Sequence, residues 1–225
     1  MRPLQWLMRL DPAGLPFIGG ALLLALIALV VAFVSGAAVA WALAFLFVVL
    51  GLFFTFFFRD PHRVSPVDPH VVLAPADGRV LIAGPALADA APAPGGEAWK
   101  QISIFLSPMD VHVNRIPATG RVTKVSYSPG RFLPAYRHEA GGTNERSEIW
   151  IDHGGQTVVA RQVVGMLARR VVCRASVGDQ VRAGDRFGIM KFGSRMDIFL
   201  PATAAITVTV GQMVRGGETV IAVLH

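Results

Sequence analysis

Two matching stretches near the C-terminus decide the fold: Val177-Gly178-Asp179-Gln180-Val181-Arg182-Ala183-Gly184-Asp185 and Val210-Gly211-Gln212-Met213-Val214-Arg215-Gly216-Gly217-Glu218. Each places glycines at two successive turns around one short strand, and each is followed by a further apolar strand. Glycine suits such turns because it adopts left-handed backbone conformations without steric cost. Two copies predict a quasi-symmetric pair of β-hairpins rather than a solenoid, which needs three or more repeats.

The chain between and before these stretches reads as short Val- and Ile-rich strands separated by Gly, Pro and Asp turns. Long amphipathic helices are scarce after residue 65, and residues 134–147 have the composition of a mobile loop. The repeated turn resembles that of lipoyl- and biotinyl-type barrel–sandwich hybrid domains. We therefore predict a mainly β fold, a β-sandwich or barrel–sandwich-hybrid-like domain over residues 66–225. The predicted strands are residues 78–83, 101–106, 120–127, 148–152, 156–164, 168–173, 186–190, 195–200, 205–210 and 219–224.

The N-terminal part carries no charged residue and no histidine from Pro12 to Phe58. A membrane-spanning helix needs about 20 apolar residues, so this run is long enough for two. A turn at Ser35-Gly36 predicts an α-helical membrane hairpin with segments near residues 15–34 and 37–58, in an anchor that comprises residues 1–65. Arginines flank both ends of the run, which by the positive-inside rule predicts that both ends are cytoplasmic. The domain that follows is then expected on the cytoplasmic side of the inner membrane.

Two alternatives to this anchor are considered. A signal peptide cleaved after Ala38-Val39-Ala40 is disfavoured because a further apolar stretch follows that point. A buried hairpin of a soluble protein is disfavoured because the Phe-rich residues 53–58 offer no polar face to water.

Composition narrows the classes of function. The net charge of +6 on a membrane-tethered chain predicts attraction to anionic lipid headgroups. Nucleic-acid binding is not expected, because no basic helix or basic strand with interleaved aromatics is present. Cys173 is the single cysteine, which excludes an intramolecular disulfide, and the histidines show no metal-ligand spacing.

Between the two repeats lies the run Lys191-Phe192-Gly193-Ser194-Arg195-Met196-Asp197-Ile198-Phe199-Leu200-Pro201. Its Gly-Ser pair sits between apolar, strand-like stretches, where a loop explanation fits poorly. A serine held against the carbonyl of a preceding glycine can attack it, because glycine has no side chain to block the approach and tolerates strained dihedrals. If the resulting ester eliminates, the chain breaks and the serine becomes an N-terminal pyruvoyl group, which is an electrophilic ketone.

This run resembles the self-cleavage site of the phosphatidylserine decarboxylase proenzymes of the short bacterial and archaeal type. Three further stretches resemble that family in the same order: Ala74-Pro75-Ala76-Asp77-Gly78-Arg79-Val80, Leu106-Ser107-Pro108-Met109-Asp110-Val111-His112-Val113-Asn114-Arg115-Ile116-Pro117 and Gln162-Val163-Val164-Gly165-Met166-Leu167-Ala168-Arg169-Arg170. The resemblance implies that Ser194 attacks Gly193 and that the precursor separates into a β chain (1–193) and an α chain (194–225). The two chains are expected to stay together, and a homodimer is plausible for this family.

The resemblance also implies a reaction and its cofactor. Phosphatidylserine would form an imine with the pyruvoyl group derived from Ser194, lose carbon dioxide and leave as phosphatidylethanolamine. The ketone and its conjugated amide would serve as the electron sink, so that no external cofactor is required. The expected partners are the phospholipid substrate and the membrane that contains it.

Three further roles follow from the resemblance. Asp77 corresponds to an aspartate that orients a base during self-cleavage, and His112 to a histidine that handles the substrate and could deliver a proton. Long bacterial and eukaryotic members carry a second histidine, which acts as the base for self-cleavage, at the position of Arg115. An arginine cannot be a base at neutral pH. His112 in a double role, His138, His153 or backbone strain alone remain as explanations.

Other residues are candidates for binding the lipid headgroup. Arg115 is expected to hold a phosphate or carboxylate of the substrate. Asn144 and Arg146 either belong to a lid over the headgroup or lie in a solvated loop. The two glycine repeats are expected to grip the strained bond from both sides.

Two other functions are kept open. One is a non-catalytic, membrane-tethered hybrid-barrel adaptor, which the repeat alone would support. The other is a pyruvoyl decarboxylase for a soluble amino acid, which leaves the long apolar segment unexplained.

Overall fold

The computed structural model describes residues 9–87, 90–92, 98–166, 171–191 and 193–225. It confirms the predicted fold class, because a mainly β domain follows an N-terminal hairpin of two apolar helices. The chain divides into two compact units, one that ends at His62 and one that comprises Arg63–His225. Each unit is described separately below.

The N-terminal unit contains the helices α1 (Leu15–Ser35) and α2 (Ala38–Phe57), which pack against each other. A short 3-10 helix at Pro12–Gly14 precedes α1, and Asp11 caps it by accepting a hydrogen bond from the Ala13 amide at 2.9 Å. The strands β1 (Arg9–Leu10) and β2 (Arg59–Asp60) pair with each other, so both ends of the hairpin lie together. Gly36, with φ 67°, forms the turn between the helices.

The helical interface is made of small residues, whereas the outer surface is made of large apolar ones. The buried positions of α1 are all alanines, and those of α2 are mostly alanine and glycine. A soluble protein buries its large apolar side chains, whereas small residues at the interface are typical of helices that pack within lipid. Both helices are long and apolar enough to cross a membrane. The exposed large residues include Leu22, Leu23, Leu26, Val34, Phe45 and Leu52.

The second unit is built from strands and one short helix, α3 (Ala140–Thr143). The strands are β3 (Val71–Leu73), β4 (Gly78–Pro85), β5 (Trp99–Leu106), β6 (Val113–Arg115), β7 (Gly120–Ser128), β8 (Arg146–His153), β9 (Gln156–Val164), β10 (Val171–Cys173), β11 (Gln180–Val181), β12 (Arg186–Met190), β13 (Ser194–Pro201), β14 (Ala205–Ile206), β15 (Met213–Val214) and β16 (Val220–Val223). Residues 168–170 of the predicted strand 168–173 lie outside the described residues.

A curled sheet of eight antiparallel strands, in the order β11-β7-β8-β9-β13-β5-β4-β15, forms the centre of this unit. Two three-stranded sheets, β10-β12-β6 and β14-β16-β3, complete the domain. The eight-stranded order is symmetric about the β9–β13 pair. The strand that begins with Ser194 therefore lies at the middle of the sheet.

A second pair of similar sequences underlies this symmetry. Residues 74–80 read APADGRV and residues 116–122 read IPATGRV. Each copy receives one glycine repeat in the same way: Gly211 donates to the Val80 carbonyl and Gly178 to the Val122 carbonyl, both at 2.8 Å. The domain thus consists of two similar halves that meet at β9 and β13.

The glycine repeats lie at the two outer edges of the sheet, where β15 pairs with β4 and β11 with β7. Two strands separate β15 from β13, and three strands separate β11 from β13. The expectation that the repeats grip the Gly193–Ser194 bond is therefore wrong. Instead, the turns of each repeat pack against the strand next to the outer edge of its half of the domain, β7 or β4.

The two faces of the central sheet differ in polarity. Met196, Ile198 and Leu200 of β13 point into the main apolar core, together with alternate residues of β5, β8 and β9. The opposite face carries Arg195 and Asp197, which are fully buried. Residues 134–147 include α3 and cover this polar face, with Ala135, Ala140 and Asn144 buried. They therefore form a packed cover where the composition predicts a mobile loop.

Candidate active site

Several of the predicted site residues lie at one end of the central sheet, whereas Arg115 lies against the turns of the glycine repeats. The register pairs Ser194, the first residue of β13, with Leu106 at the end of β5 and with Val164 at the end of β9. Gly78 starts β4 and Arg146 starts β8 at the same end. Because neighbouring strands are about 4.8 Å apart, the loops that leave these strand ends surround Ser194.

Gly193 and Ser194, the predicted cleavage pair, lie at the start of β13. Ser194 is fully buried, and within the described residues its Oγ makes no hydrogen bond. A buried hydroxyl without a partner costs free energy, which is typical of a group kept for chemistry rather than for stability. Gly193 has φ 71°, in the left-handed region that favours glycine. Every other residue would strain the backbone at this bond.

A second glycine, Gly165, lies against the carbonyl of Gly193. A Cβ at Gly165 would overlap the Gly193 carbonyl oxygen, and it would lie 3.0 Å from the carbonyl carbon and 3.3 Å from the Cβ of Ala135. The backbone of residue 165 therefore limits where the carbonyl can point. Gly165 belongs to one of the stretches that carry the resemblance, but a glycine there predicts only a turn.

His112 is fully buried in the loop that follows β5. Its Nδ1 lies 3.0 Å from the Asp110 carbonyl oxygen, which can only accept, so Nδ1 carries the proton. In the neutral ring Nε2 is then the basic nitrogen. The loop is fixed because the Asp110 carboxylate accepts from the Ser107 amide at 2.8 Å and from the Ser107 hydroxyl at 2.7 Å.

The other two histidines considered as the base, His138 and His153, differ in their distance from Ser194. His153 ends β8 and pairs with Gln156, eight residues along β9 from Val164. At about 3.3 Å per residue it lies roughly 26 Å from the Ser194 end of the sheet. His138 is exposed in the cover segment, next to Arg137, whose carbonyl accepts a hydrogen bond from the buried Arg195.

Asp77 precedes β4, and its carboxylate has two partners. One oxygen accepts from the Gly216 amide at 2.7 Å, and the other pairs with Arg63 at 2.7 Å. In the matching half of the domain Thr119 takes the position of Asp77, and its hydroxyl accepts from the Ala183 amide at 3.0 Å. The contact with Gly216 is thus a structural feature that both halves share.

Arg63 also reaches Glu218 of the second glycine repeat, at 3.1 Å. Burial raises the pKa of Glu218, but hydrogen bonds from Arg63 and the Val64 amide, with the charges of Arg63 and Arg215, outweigh burial and lower it below the ordinary 4.5. This cluster ties the start of the second unit to the repeat turns.

Arg115 is buried between the same turns. It donates to the Gly184 carbonyl at 3.0 Å, and a Cβ at Gly217 would lie 2.7 Å from its side-chain carbon Cδ. These two glycines hold equivalent positions in the two repeats. Arg115 therefore contacts the symmetric turns of the fold.

Asn144 and Arg146 lie at the Ser194 end of the sheet, in the segment 134–147 that covers its polar face. Asn144 is fully buried. Its side-chain Nδ2 donates to the Leu133 and Val164 carbonyls, both at 2.8 Å, and its side-chain Oδ1 accepts from the Leu133 backbone amide at 3.0 Å. Arg146 donates to the Gly142 carbonyl at 2.9 Å. Burial and the charge of Arg161 lower the pKa of Arg146, which Glu148 partly opposes.

Sequence reasoning also missed a polar pair on the Ser194 face. Gln162 pairs with Met196, one position diagonal from Ser194, and donates to the Asn114 carboxamide oxygen at 2.8 Å. Both amides are fully buried, and among the described residues Asn114 Nδ2 and Gln162 Oε1 have no hydrogen-bond partner. These orphan atoms add donor and acceptor capacity beside the candidate nucleophile.

Comparison with known protein sequences gives the same family in each case. The family model for phosphatidylserine decarboxylase matches residues 50–222. A phosphatidylserine decarboxylase proenzyme of Geobacter metallireducens is 41% identical over 94% of this chain and 94% of its own. One from Granulibacter bethesdensis is 44% identical over 94% of this chain and 84% of its own, and one from Chlorobium phaeobacteroides is 44% identical over 76% and 79%.

Proposed function

Since the chain belongs to the phosphatidylserine decarboxylase family, we propose that it decarboxylates phosphatidylserine to phosphatidylethanolamine with a pyruvoyl group formed from Ser194. The observation that carries this proposal is the buried, unpartnered Ser194 hydroxyl beside a glycine at φ 71°. Family membership favours this enzyme over the adaptor and over a decarboxylase of soluble amino acids.

The first step of the proposal is self-cleavage. Ser194 Oγ attacks the Gly193 carbonyl carbon, its proton passes to a base, and the peptide bond becomes an ester. Elimination then leaves a Gly193 carboxylate and an unsaturated residue at 194, whose hydrolysis releases ammonia and forms the pyruvoyl group. Gly165 supports this step by restricting the carbonyl, and Gly193 supports it because glycine adopts φ 71° without steric cost and has no side chain to block the attack.

The base in this step is a histidine. His112 and His138 are the candidates near the Ser194 end, since His153 lies at the opposite end of β8. We favour His112 because it is buried and its Nδ1 contact leaves Nε2 as the basic nitrogen. Asp77 is retained as a residue that orients the site through the Arg63 and Gly216 contacts.

The residues present fit a pyruvoyl group at position 194. When formed, this group supplies an electrophilic ketone that takes up the substrate amine and the electrons released with carbon dioxide. His112 would hold the proton that the product carbon requires. Arg146, which is partly exposed at the same sheet end, is a candidate for the phosphate, whereas Arg115 and Asn144 support the site through backbone contacts.

The α chain, residues 194–225, would remain bound after cleavage. It contributes β13, which pairs with both β5 and β9, and β15 and β16, which pair with β4 and β3. Residues 1–65 would act as the membrane anchor, with the catalytic domain on the cytoplasmic side. This keeps the site in the plane where a two-chain lipid resides.

Intact mass under denaturing conditions tests the proposal. Wild-type protein should give two fragments that break at 193/194, the smaller one blocked by pyruvoyl, and should convert phosphatidylserine to phosphatidylethanolamine. Ser194→Ala should stay a single chain and be inactive. An uncleaved wild-type chain from a folded preparation in membrane-like detergent would refute the mechanism.

A further inference from the structure

Large apolar side chains are exposed around the Ser194 end of the sheet. Met109 and Met166, each 63% exposed, lie in the loops after β5 and β9, the two strands that flank β13. Phe132, 39% exposed, and Tyr136, 60% exposed, lie in the segment after β7. We call Met109, Phe132, Tyr136 and Met166 the rim.

The rim loops are held together in space. The Tyr136 ring packs edge-on against Phe105 of β5, with ring centroids 6.1 Å apart. A Cβ at Gly165 would lie 3.3 Å from Ala135, which places the loops of Met166 and Tyr136 side by side. Tyr136 and Met166 are therefore next to residues that lie side by side at the strand ends that surround Ser194.

This distribution is uneven. Among the other exposed large apolar residues of the described β unit, Tyr127 and Met213 lie toward the same end, since they pair with Ser147 and Arg79, whereas Val177 lies near the opposite end of the sheet. Clustered exposed apolar residues in a monomer mark an interaction surface. The segment that carries Phe132 and Tyr136 also exposes two positive charges, Arg131 and Arg137, and one negative charge, Glu139.

From this arrangement we infer that the rim is a docking surface for the phospholipid bilayer, which presses the Ser194 end of the domain onto the lipid that it acts on. The inference rests on the proposed function, because the substrate is then a lipid whose headgroup stays at the bilayer surface. Methionine and aromatic side chains enter the headgroup–acyl boundary, and arginines beside them pair with anionic headgroups. The chain's net charge of +6 agrees with a negatively charged partner.

The test separates bilayer docking from chemistry. The full-length chain is reconstituted in phosphatidylcholine vesicles as wild type, as Phe132→Ser/Met166→Ser and as the control Val177→Ser. Each is assayed with phosphatidylserine in the same bilayer and with short-chain phosphatidylserine below its critical micelle concentration. Because the double variant replaces two apolar side chains of the docking surface with polar ones, it should lose about tenfold or more in kcat/KM on the bilayer substrate. On the monomeric substrate it should stay within about twofold of wild type.

Four results would overturn the inference. Equal losses on both substrates would place the rim in the reaction pocket, and no loss on either would leave it without a docking role. A similar loss in Val177→Ser would show that exposed apolar residues act without regard to position. A changed oligomeric state of the double variant would show that the rim binds a second copy of the chain. Failure of wild type on both substrates would instead refute the proposed function, and cleavage of all three proteins at 193/194 controls for processing.

Discussion

Replacement of Gly165 by alanine should slow self-cleavage while leaving the fold intact. The new Cβ would overlap the Gly193 carbonyl oxygen, and normal contact would be restored only if that carbonyl moved by about 1 Å. Misplacement of a reacting group by about 1 Å costs roughly 10²-fold in rate. The backbone at Gly165 does not have a positive φ, so the alanine acts through its bulk and not through backbone strain.

The assay is a time course of intact mass under denaturing conditions, which reports the fraction of uncleaved precursor. Gly84→Ala is the matched control, because nothing lies within 4 Å of a Cβ there; it should be cleaved at the wild-type rate. Stability is compared in a Ser194→Ala background, where cleavage cannot alter the melting temperature. The reasoning is refuted if Gly165→Ala is as stable as Gly84→Ala in that background and yet is cleaved as fast.

Three further predictions concern the residues around the site. His112→Gln should lower self-cleavage or decarboxylation by about 10²-fold or more, whereas His153→Gln, at the far end of β8, should leave both unchanged; normal rates in His112→Gln would remove it from the mechanism. Asp77→Ala and Thr119→Ala each remove one hydrogen bond to a repeat amide and should each cost about 1 kcal/mol or more of stability in denaturant titrations; a cleavage defect confined to Asp77→Ala supports its role in orienting the site, and equal cleavage contradicts it. The folded pKa of Glu218 lies below its unfolded value. Its ionised form therefore stabilises the fold above pH 4.5, and this stabilisation is lost as the pH falls through the folded pKa. The melting temperature of Glu218→Gln should approach that of wild type in acid, and a constant difference across pH would contradict this.

The repeats show which parts of the fold can be predicted from the sequence. The glycine repeats 177–185 and 210–218 predicted a quasi-symmetric pair of β-hairpins, because glycines at fixed offsets specify turns locally. The symmetry is present, but the hairpins are wrong: β11 pairs with β7 and β15 with β4, and neither pairs with the strand that follows it. The positions of the repeats at opposite edges of one sheet could not be inferred. That placement depends on the pairing of β4 with β15 and of β7 with β11, which are contacts between strands distant in sequence.

The part of the candidate site whose residues are adjacent in sequence could be predicted. Gly193 and Ser194 are adjacent in sequence, and their pairing with apolar flanks indicates the reaction. The contact of Gly165 with the Gly193 carbonyl depends on the antiparallel register of β9 and β13, which the sequence does not reveal. The same holds for Asn114 and Gln162, whose amides meet only because β6 packs on the face of the central sheet.

The burial of the two charged residues that follow Ser194 in β13 cannot be inferred from the sequence, for a physical reason. In β13 the alternation of Arg195 and Asp197 with apolar residues is typical of a strand with one solvent-exposed face. Here both charges are fully buried: two Asp197 oxygens accept from Arg195 at 2.7 and 2.8 Å, and one also accepts from Ser103 at 2.6 Å. The remaining guanidinium nitrogen of Arg195 donates to the Arg137 carbonyl at 2.9 Å.

This network fixes Arg195, the residue directly after Ser194, through contacts that do not involve the Gly193–Ser194 bond. Removal of one partner from a buried ion pair typically costs about 3–5 kcal/mol, because the other charge is left uncompensated. The residue directly after Ser194 is thus among the most firmly held in the domain. If the proposed cleavage breaks the bond to Gly193, the new chain end has few ways to fray, since Arg195 remains fixed by Asp197 and by the carbonyl of Arg137. A reactive group at residue 194 would then keep its place on the core face of β13 through every turnover.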